Sequence, residues 1–184
     1  MSAPSTAAAT APPSPANPHR ALRVIKVVVN AGVGESGEAR TKAERVLQMV
    51  THQKPVPTRS HSTNRDFGIR KGQEIGAKVT LRGTVANDFL ARAFEARDRQ
   101  LDGASIDRNG NFSFGVADYT DFAGMKYDPA IGIHGMDVAV EVGRAGYRIR
   151  DRRLSSRPLP RSLRSTREET RAFLSTTFQV NVLE

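Results

Sequence analysis

Gly32, Gly34 and Gly37 have the G-x-G-x-x-G spacing that can hold the pyrophosphate of a dinucleotide where a strand turns into a helix. Dinucleotide binding also needs an acidic residue about 20 residues later, at the end of a buried parallel strand. At that distance the chain instead has a basic, proline-interrupted stretch, HQKPVPTR at 52–59. We therefore interpret the glycines as a tight turn between a strand and a helix, and we expect no cofactor.

A second polar cluster, Asp107-Arg-Asn109-Gly-Asn111 followed by Asp118, has some of the oxygen ligands of a calcium loop. Position six of such a loop must be glycine, but here it is Phe112, so we predict a tight polar turn. The chain has no cysteine, and its four histidines lack the HxxxH and HxH spacings of zinc sites. No serine lies in a nucleophile elbow. We predict no metal site, no small-molecule substrate and no enzymatic activity.

The charge of the chain points to a different chemistry. The net charge is +9, with net charges of +6 over residues 26–83, −4 over 84–147 and +5 over 148–184. Two basic blocks around an acidic one are typical of a protein that binds a polyanion, above all a nucleic acid. No run of about 18 apolar residues occurs, so the sequence predicts no transmembrane helix and no membrane partner.

The basic residues form two groups suited to RNA. Between Thr58 and Gly83 the chain has six basic and two acidic residues, together with the aromatic Phe67 and several glycines, and we interpret part of this stretch as a mobile loop. Residues 148–167 hold eight arginines and one acidic residue. Arginine favours bidentate contacts with phosphate, and Pro158 and Pro160 argue against regular structure. We predict that these arginines contact RNA: Arg148, Arg150, Arg152, Arg153, Arg157, Arg161 and Arg164.

Hydrophobic periodicity predicts the elements that position these groups. Val24–Asn30 is apolar and β-branched, as in a central strand, and Pro55 and Pro57 make Val56–Ser60 at best an edge strand. Lys78, Thr80 and Arg82 alternate with apolar residues, which places them on the outward face of a further strand. Two more stretches with alternating apolar residues predict strands: Phe112, Phe114 and Val116 in one, and Met136, Val138, Val140 and Val142 in the other. The amphipathic segments predict helices at Ala39–Val50, at Ala86–Phe94 and from the capping box Thr166-x-x-Glu169 to about Thr177, and Val180–Leu183 is a possible short strand.

The order β-α-β-β-α-β predicts an α+β fold, ferredoxin-like or RRM-like, with an antiparallel or mixed sheet and helices on one face. The other face stays open for a nucleic acid. Residues 1–19 are rich in alanine, proline and serine and are predicted to be a disordered leader. Residues 20–147 are predicted to form the RNA-binding core. Residues 148–184 are predicted to form a long basic C-terminal extension that ends in a helix and packs on the core.

Several motifs, in this order, resemble one family of proteins. They are Val29-Asn30-Ala31-Gly32-Val33-Gly34-Glu35, Gln53-Lys54-Pro55, Asp66-Phe67-Gly68-Ile69-Arg70-Lys71-Gly72, Ile75–Gly83 (IGAKVTLRG) and Gly110-Asn111-Phe112-Ser113-Phe114-Gly115. Together they are similar to the L-five family of large-subunit ribosomal proteins. Lys126-Tyr127-Asp128-Pro129 and Ile131–Asp137 (IGIHGMD) resemble its archaeal and eukaryotic branch.

The resemblance implies a structural protein of the cytoplasmic ribosome that binds 5S rRNA in the central protuberance. Large-subunit rRNA and neighbouring ribosomal proteins are the other implied partners. The implied rRNA-binding residues are Asn30, Gln53, Lys54, Lys78, Thr80, Arg82 and Asn111. A loop from about Arg59 to Gly76 is implied to contact the P-site tRNA, through Arg59, Arg65, Phe67, Arg70 and Lys71.

Three positions depart from the family pattern. Residues 60–63 read SHST where several lysines are common, His52 replaces a usual glycine, and Asn109 replaces a usual arginine. Two other functions remain open on the sequence alone. One is an RNA-binding module that acts outside the ribosome, and the other is a nucleotide-dependent enzyme that uses the glycines at 32–37.

Overall fold

The computed structural model describes residues 18–183, which form seven strands and four α-helices. The elements are β1 (Arg23–Gly32), α1 (Glu38–Thr51), β2 (Val56–Arg59), β3 (Glu74–Leu81), α2 (Thr84–Glu95), β4 (Gln100–Asp102), β5 (Phe112–Val116), β6 (Met136–Gly143), α3 (Arg148–Asp151), α4 (Arg167–Phe178) and β7 (Asn181–Leu183). The predicted leader lies outside the described residues, apart from Pro18 and His19, which belong to a 3₁₀ turn.

Five strands form one antiparallel sheet in the order β2-β3-β1-β6-β5, with β1 at its centre. Val29 of β1 lies opposite Val79 of β3 on one side and Val138 of β6 on the other. β1 and β2 both pair antiparallel to β3, so they run parallel to each other with β3 between them. This is the split arrangement of a ferredoxin-like fold. The predicted α+β class is confirmed, with β5 added outside β6 as an extra edge strand.

One face of the sheet carries the core, and the alternation of apolar residues explains why. Val27, Val29 and Val79 point to that face and are buried, as are the apolar residues of β5 and β6. α1 packs there through Leu47 and its neighbours, and α2 through Phe89 and its neighbours. The helical stripes that the sequence predicts are therefore the stripes that bury the sheet.

The end of α1 holds His52 in a backbone conformation that favours glycine. His52 caps the helix in the left-handed conformation, with φ +54°, and its N–H donates to the carbonyl oxygen of Gln48 at 2.9 Å. Only glycine adopts this conformation without a steric penalty from Cβ.

The substitution His52→Gly is therefore expected to stabilise the fold by about 1 kcal/mol. The measurement is urea unfolding of both proteins, with the midpoint shifted upward at an unchanged slope. His52→Ala is the control, because it removes the imidazole and keeps the strained backbone. An equal gain from alanine would show that the side chain, and not the backbone, is the source of the strain.

The C-terminal part of the chain folds onto this core. α4 begins with the predicted capping box, in which Thr166 accepts from the Glu169 N–H and the Glu169 side chain accepts from the Thr166 N–H. Leu174 of α4 is fully buried. The final strand β7 pairs in parallel with β4. The sequence did not predict β4, because this three-residue strand has only one apolar residue, Leu101.

The basic segment 148–164 has more structure than its prolines suggest. It starts with the one-turn helix α3 and contains a 3₁₀ turn at Arg161–Leu163, so the expectation of no regular structure is wrong at both ends. It holds for residues 152–160, which include both prolines and form no helix or strand. The Tyr147 hydroxyl donates to the Leu163 carbonyl and accepts from the Ser165 N–H, both at 2.9 Å. These two bonds fasten both ends of the segment at one point. We call residues 148–164 the arginine loop, since the structure shows a closed loop rather than a long extension.

Candidate nucleic-acid interface

The sheet face opposite the helices is open to solvent in the described part of the chain. We call it the open face. Because side chains alternate along a strand, the residues between the core positions all point to it. They are Lys26, Val28 and Asn30 of β1, Lys78 and Thr80 of β3, Ser113 and Gly115 of β5, and Asp137, Ala139 and Glu141 of β6, with Arg82 directly after β3.

The register brings most of the predicted rRNA-binding residues together. Asn30 lies opposite Lys78, and Val28 lies opposite Thr80, so these four side chains form two adjacent rows across β1 and β3. Arg82 continues the same face and is exposed. This part of the open face offers an amide, a hydroxyl and two cations with small side chains between them. Such a surface can bind phosphates and the polar edges of bases.

Gln53 and Lys54 lie at one edge of this surface and Asn111 lies at the other. Gln53 and Lys54 are separated by Pro55 from β2, whose first residue, Val56, is opposite Lys78. Asn111 precedes β5, three strand spacings or about 14 Å from β3. Its side-chain oxygen accepts a hydrogen bond from the Val142 N–H at 3.3 Å. Asn111 is therefore also a structural residue that holds the start of β5 against β6.

Acidic residues of β6 on the open face are the feature that sequence reasoning missed. Asp137 is exposed and lies opposite Asn30 on the neighbouring strand. Glu141 lies opposite Lys26 and is largely buried. The sequence does contain the signal, because Asp137, Ala139 and Glu141 alternate with the apolar residues of the predicted strand. The prediction considered only the apolar half of that pattern.

Glu141 is the centre of a charged cluster. Its carboxylate lies 3.0 Å from Lys26 Nζ and 2.5 Å from an Arg150 terminal nitrogen. Burial alone raises the pKa of Glu141, but hydrogen bonds and charge from Lys26 and Arg150 outweigh it and hold the pKa below its ordinary value. The stabilisation from this ionised state is complete above the ordinary pKa of a glutamate, and it is lost as pH falls through the lowered pKa of the folded protein.

The segment that joins β2 to β3, which we interpreted in part as a mobile loop, is paired as a hairpin. Ser60 donates its N–H to the Gln73 carbonyl at 2.8 Å, and Asn64 and Ile69 exchange two backbone bonds of 2.9 Å. Gly68, with φ +65°, forms the turn at the tip. We call residues 60–73 the hairpin arm. Gly76 lies outside it in β3, where a Cβ would come within 2.8 Å of the Ala31 carbonyl oxygen.

The hairpin arm presents an aromatic ring among cations. Phe67 at the tip is 75% exposed, which is unusual for a phenylalanine that has no partner to contact. Arg65, Arg70 and Lys71 are exposed beside it. Arg59, predicted with this group, lies at the base in β2 and forms an ion pair of 3.4 Å with Glu74. The arm itself can therefore stack on a base and contact phosphates without any rearrangement of the core.

The arginine loop adds a third basic surface. Six of its predicted arginines are exposed and form no salt bridge in the described part of the chain: Arg148, Arg152, Arg153, Arg157, Arg161 and Arg164. Arg152 donates to the Ser155 carbonyl at 2.7 and 3.0 Å, which fixes its position and leaves its charge uncompensated. Arg150 differs, because it pairs with Glu141 and with Asp151.

The other polar motifs have structural roles. Gly34 and Gly37 adopt positive φ in the turn before α1, and the Val33 and Gly34 N–H groups bond the Ile75 carbonyl. The 107–111 segment is the predicted tight turn, with the Asp107 N–H bonded to the Asn111 carbonyl at 2.7 Å. Residues 18–183 contain no group of three or more potential metal ligands and no helix long and apolar enough to cross a membrane.

Comparison with known proteins gives two family matches and several close relatives. The model described as ribosomal protein L5 matches residues 17–70, and the model of the C-terminus of the same ribosomal family matches residues 74–178. The chain is 49% identical over 168 residues to large ribosomal subunit protein uL5 of Picrophilus torridus, covering 91% of this chain and 96% of the relative. It is also 49% identical to the Thermoplasma acidophilum uL5 over 91% of this chain and 99% of the relative.

An α+β protein with these basic surfaces and these matches is a ribosomal protein of the large subunit. Within that class the chain belongs to the ribosomal protein L5 family. The resemblance found in the sequence motifs is confirmed, including its archaeal type. The family consists of structural proteins and not enzymes, and its members are part of the cytoplasmic ribosome, as the sequence predicted.

Proposed function

We propose that this protein binds 5S rRNA in the central protuberance through its open face and contacts the P-site tRNA through the hairpin arm. The observation that carries the proposal is the convergence of Asn30, Lys78, Thr80 and Arg82 on one uncovered sheet face. These residues come from two separate motifs, and the β1–β3 register makes them neighbours. Their chemistry suits an RNA surface of phosphates, ribose hydroxyls and base edges.

The same geometry supports the other rRNA contacts of the proposal. Gln53 and Lys54 extend the surface at the β2 edge, and Asn111 borders it at the β5 edge. The exposed arginines of the arginine loop add cations for 5S rRNA or the large-subunit rRNA. Neighbouring ribosomal proteins are the expected partners of the remaining surface.

Arg82→Ala is the test of the open-face site. We expect the variant to bind 5S rRNA about 1–3 kcal/mol more weakly than the unmodified protein, as for loss of a specific RNA contact. The measurement is a filter-binding titration at several salt concentrations, against 5S rRNA and a structured RNA of equal length. Arg45→Ala is the matched control, since Arg45 is exposed on α1, on the helix-covered side of the sheet.

Equal losses in the Arg82 and Arg45 variants would contradict a site on the open face. Equal affinity of the unmodified protein for both RNAs would favour the alternative function, an RNA-binding module that acts outside the ribosome with the same surface. Sequence-independent phosphate contacts weaken steeply as salt rises. The affinities for the two RNAs are therefore compared at about 200 mM salt, where specific contacts dominate.

Phe67→Ala is the test of the hairpin arm. Loss of the exposed ring is expected to weaken tRNA binding to the P site of assembled subunits by about 1–3 kcal/mol, the usual value for one stacked base. Phe67→Tyr keeps the ring and is expected to restore binding. Affinity for 5S rRNA and the free energy of unfolding should not change in either variant. Unchanged tRNA binding by Phe67→Ala would exclude the stacking contact.

A further inference from the structure

We propose that Lys26, Glu141 and Arg150 join the open face and the arginine loop into one surface that binds a single RNA. In this surface Lys26 and Arg150 contact the RNA backbone, and Glu141 is a positioning residue that holds both cations in place. The proposal rests on the proposed binding of 5S rRNA by the open face. It adds the Lys26 contact and one positioning residue, and it assigns the arginine loop, with Arg150, to that same RNA.

The ion pairs connect parts of the chain that are far apart in sequence. Lys26 is on the central strand β1, Glu141 is on β6, and Arg150 is in α3 at the start of the arginine loop. The Glu141 side chain is only 13% exposed, while those of Lys26 and Arg150 are 40% and 45% exposed. The carboxylate is thus enclosed by its partners, and the two cations face the solvent.

A shallow groove runs along this cluster on the open face. It is lined by the two cations Lys26 and Arg150, by short side chains such as Ser113 and Ala139, and also by the carboxylates of Glu141 and Asp107. Between the two cations the lining side chains are small or short, so an RNA backbone can approach the sheet closely. The Ser113 hydroxyl and the Asn111 amide supply further hydrogen-bonding groups for phosphate and ribose oxygens.

The charge that favours an anion comes from the arginine loop beside the cluster, where six arginines are exposed and form no salt bridge in the described part of the chain. Within the cluster, Glu141, Asp107 and Asp151 offset the charges of Lys26 and Arg150. Asp151 also pairs with Arg150 through Nε at 2.9 Å, but the Asp151 side chain is 57% exposed, so solvent screens this pair strongly. Lys26 keeps donors beyond its bond to Glu141, since an ammonium group has three. Both cations can therefore contact phosphate while they remain bonded to Glu141.

A second contact, with Tyr147, holds the arginine loop in place. The Tyr147 hydroxyl fastens both ends of the loop, and the Arg150 guanidinium lies 5.9 Å from the centre of the Tyr147 ring. With α3 anchored on Tyr147 and on Glu141, the loop lies beside the open face. An RNA that lies on Thr80 and Arg82 and continues across β6 reaches Arg150 next.

The variants Lys26→Ala and Arg150→Ala test the two contacts. Each is expected to weaken 5S rRNA binding about tenfold at about 200 mM salt and to reduce the salt-dependence slope by about 0.7–0.9, the value for one phosphate contact. Arg45→Ala removes the same charge from the opposite side of the molecule and should leave the slope unchanged. Full 5S affinity in both variants would overturn the proposal and show that the arginine loop serves a different RNA or a protein.

Glu141→Gln tests the positioning role, because two explanations predict opposite results. Removal of a negative charge strengthens RNA binding if the carboxylate only repels phosphate, and weakens it if the carboxylate positions Lys26 and Arg150. We expect about fivefold weaker binding, with no further loss when Glu141→Gln is added to Arg150→Ala and Lys26→Ala together. Tighter binding by Glu141→Gln, or a full additional loss in the combined variant, would overturn the positioning role.

Two controls separate the possible failures. Thermal unfolding establishes that each variant is folded, and the exposed Lys26 and Arg150 variants remain informative if Glu141→Gln unfolds. The Arg82→Ala variant is measured in the same series. If Arg82→Ala weakens 5S binding and the cluster variants do not, only this inference is wrong. If the unmodified protein does not prefer 5S rRNA, the proposed function itself is wrong.

Discussion

Phe94→Ala is expected to destabilise the fold by about 4 kcal/mol, since replacement of a buried phenylalanine by alanine costs about 3–5 kcal/mol. The side chain is 1% exposed and lies on α2 in the centre of an aromatic cluster. Its ring centre is 5.2 Å from that of Phe114, 6.0 Å from that of Phe112 and 5.5 Å from that of Phe178. The cluster connects α2 to β5 and to the end of α4, so its loss weakens the edge of the sheet as well.

Urea unfolding measures this effect as a lower midpoint at an unchanged slope. Phe94→Leu keeps much of the buried volume and is expected to lose less than half as much stability. Phe67→Ala removes the same side chain from the exposed tip of the hairpin arm and should change stability by less than about 0.5 kcal/mol. A loss below about 1 kcal/mol for Phe94→Ala would mean that the aromatic cluster is loosely packed.

Gly110→Ala is expected to destabilise the fold by about 3 kcal/mol. Gly110 is buried with φ +76°, which costs a residue with a Cβ about 1–2 kcal/mol. The added Cβ would also clash with Thr170 Oγ1 and lie 2.9 Å from Ser165 Oγ. Overpacking of this kind adds about 1–3 kcal/mol. Both hydroxyls are bonded to the turn, with Thr170 Oγ1 donating to the Gly110 carbonyl at 3.1 Å and Ser165 Oγ to the Asn109 carbonyl at 2.5 Å.

Gly124→Ala is the matched control, because Gly124 has φ +86° and no atom within 4 Å of the position of an added Cβ. It is expected to lose only the conformational part, about 1–2 kcal/mol. The difference between the two variants, measured by urea unfolding, isolates the clash with the start of α4. Equal losses would contradict the close packing of the 107–111 turn on Ser165 and Thr170.

Much of this protein could be predicted from local sequence patterns. The alternation at Lys78, Thr80 and Arg82 identified the strand and its outward face, and the stripes of α1 and α2 identified the helices that cover the sheet. The capping box placed the start of α4 at Thr166. The family resemblance was also detectable, because its motifs are runs of adjacent residues. All of these signals arise within one element, where backbone geometry alone fixes which residues share a face.

The tertiary structure decided what a single element cannot determine. The pairing of β1 with β3 placed Asn30 beside Lys78, and the pairing with β6 placed Asp137 and Glu141 on the same open face. The short strand β4 and the closure of the arginine loop on Tyr147 depend on partners more than 15 residues away. Strand register and loop closure follow from the packing of the whole core. The chain has a strongly basic net charge, but its fold therefore places the carboxylates of β6 among the cations of the open face.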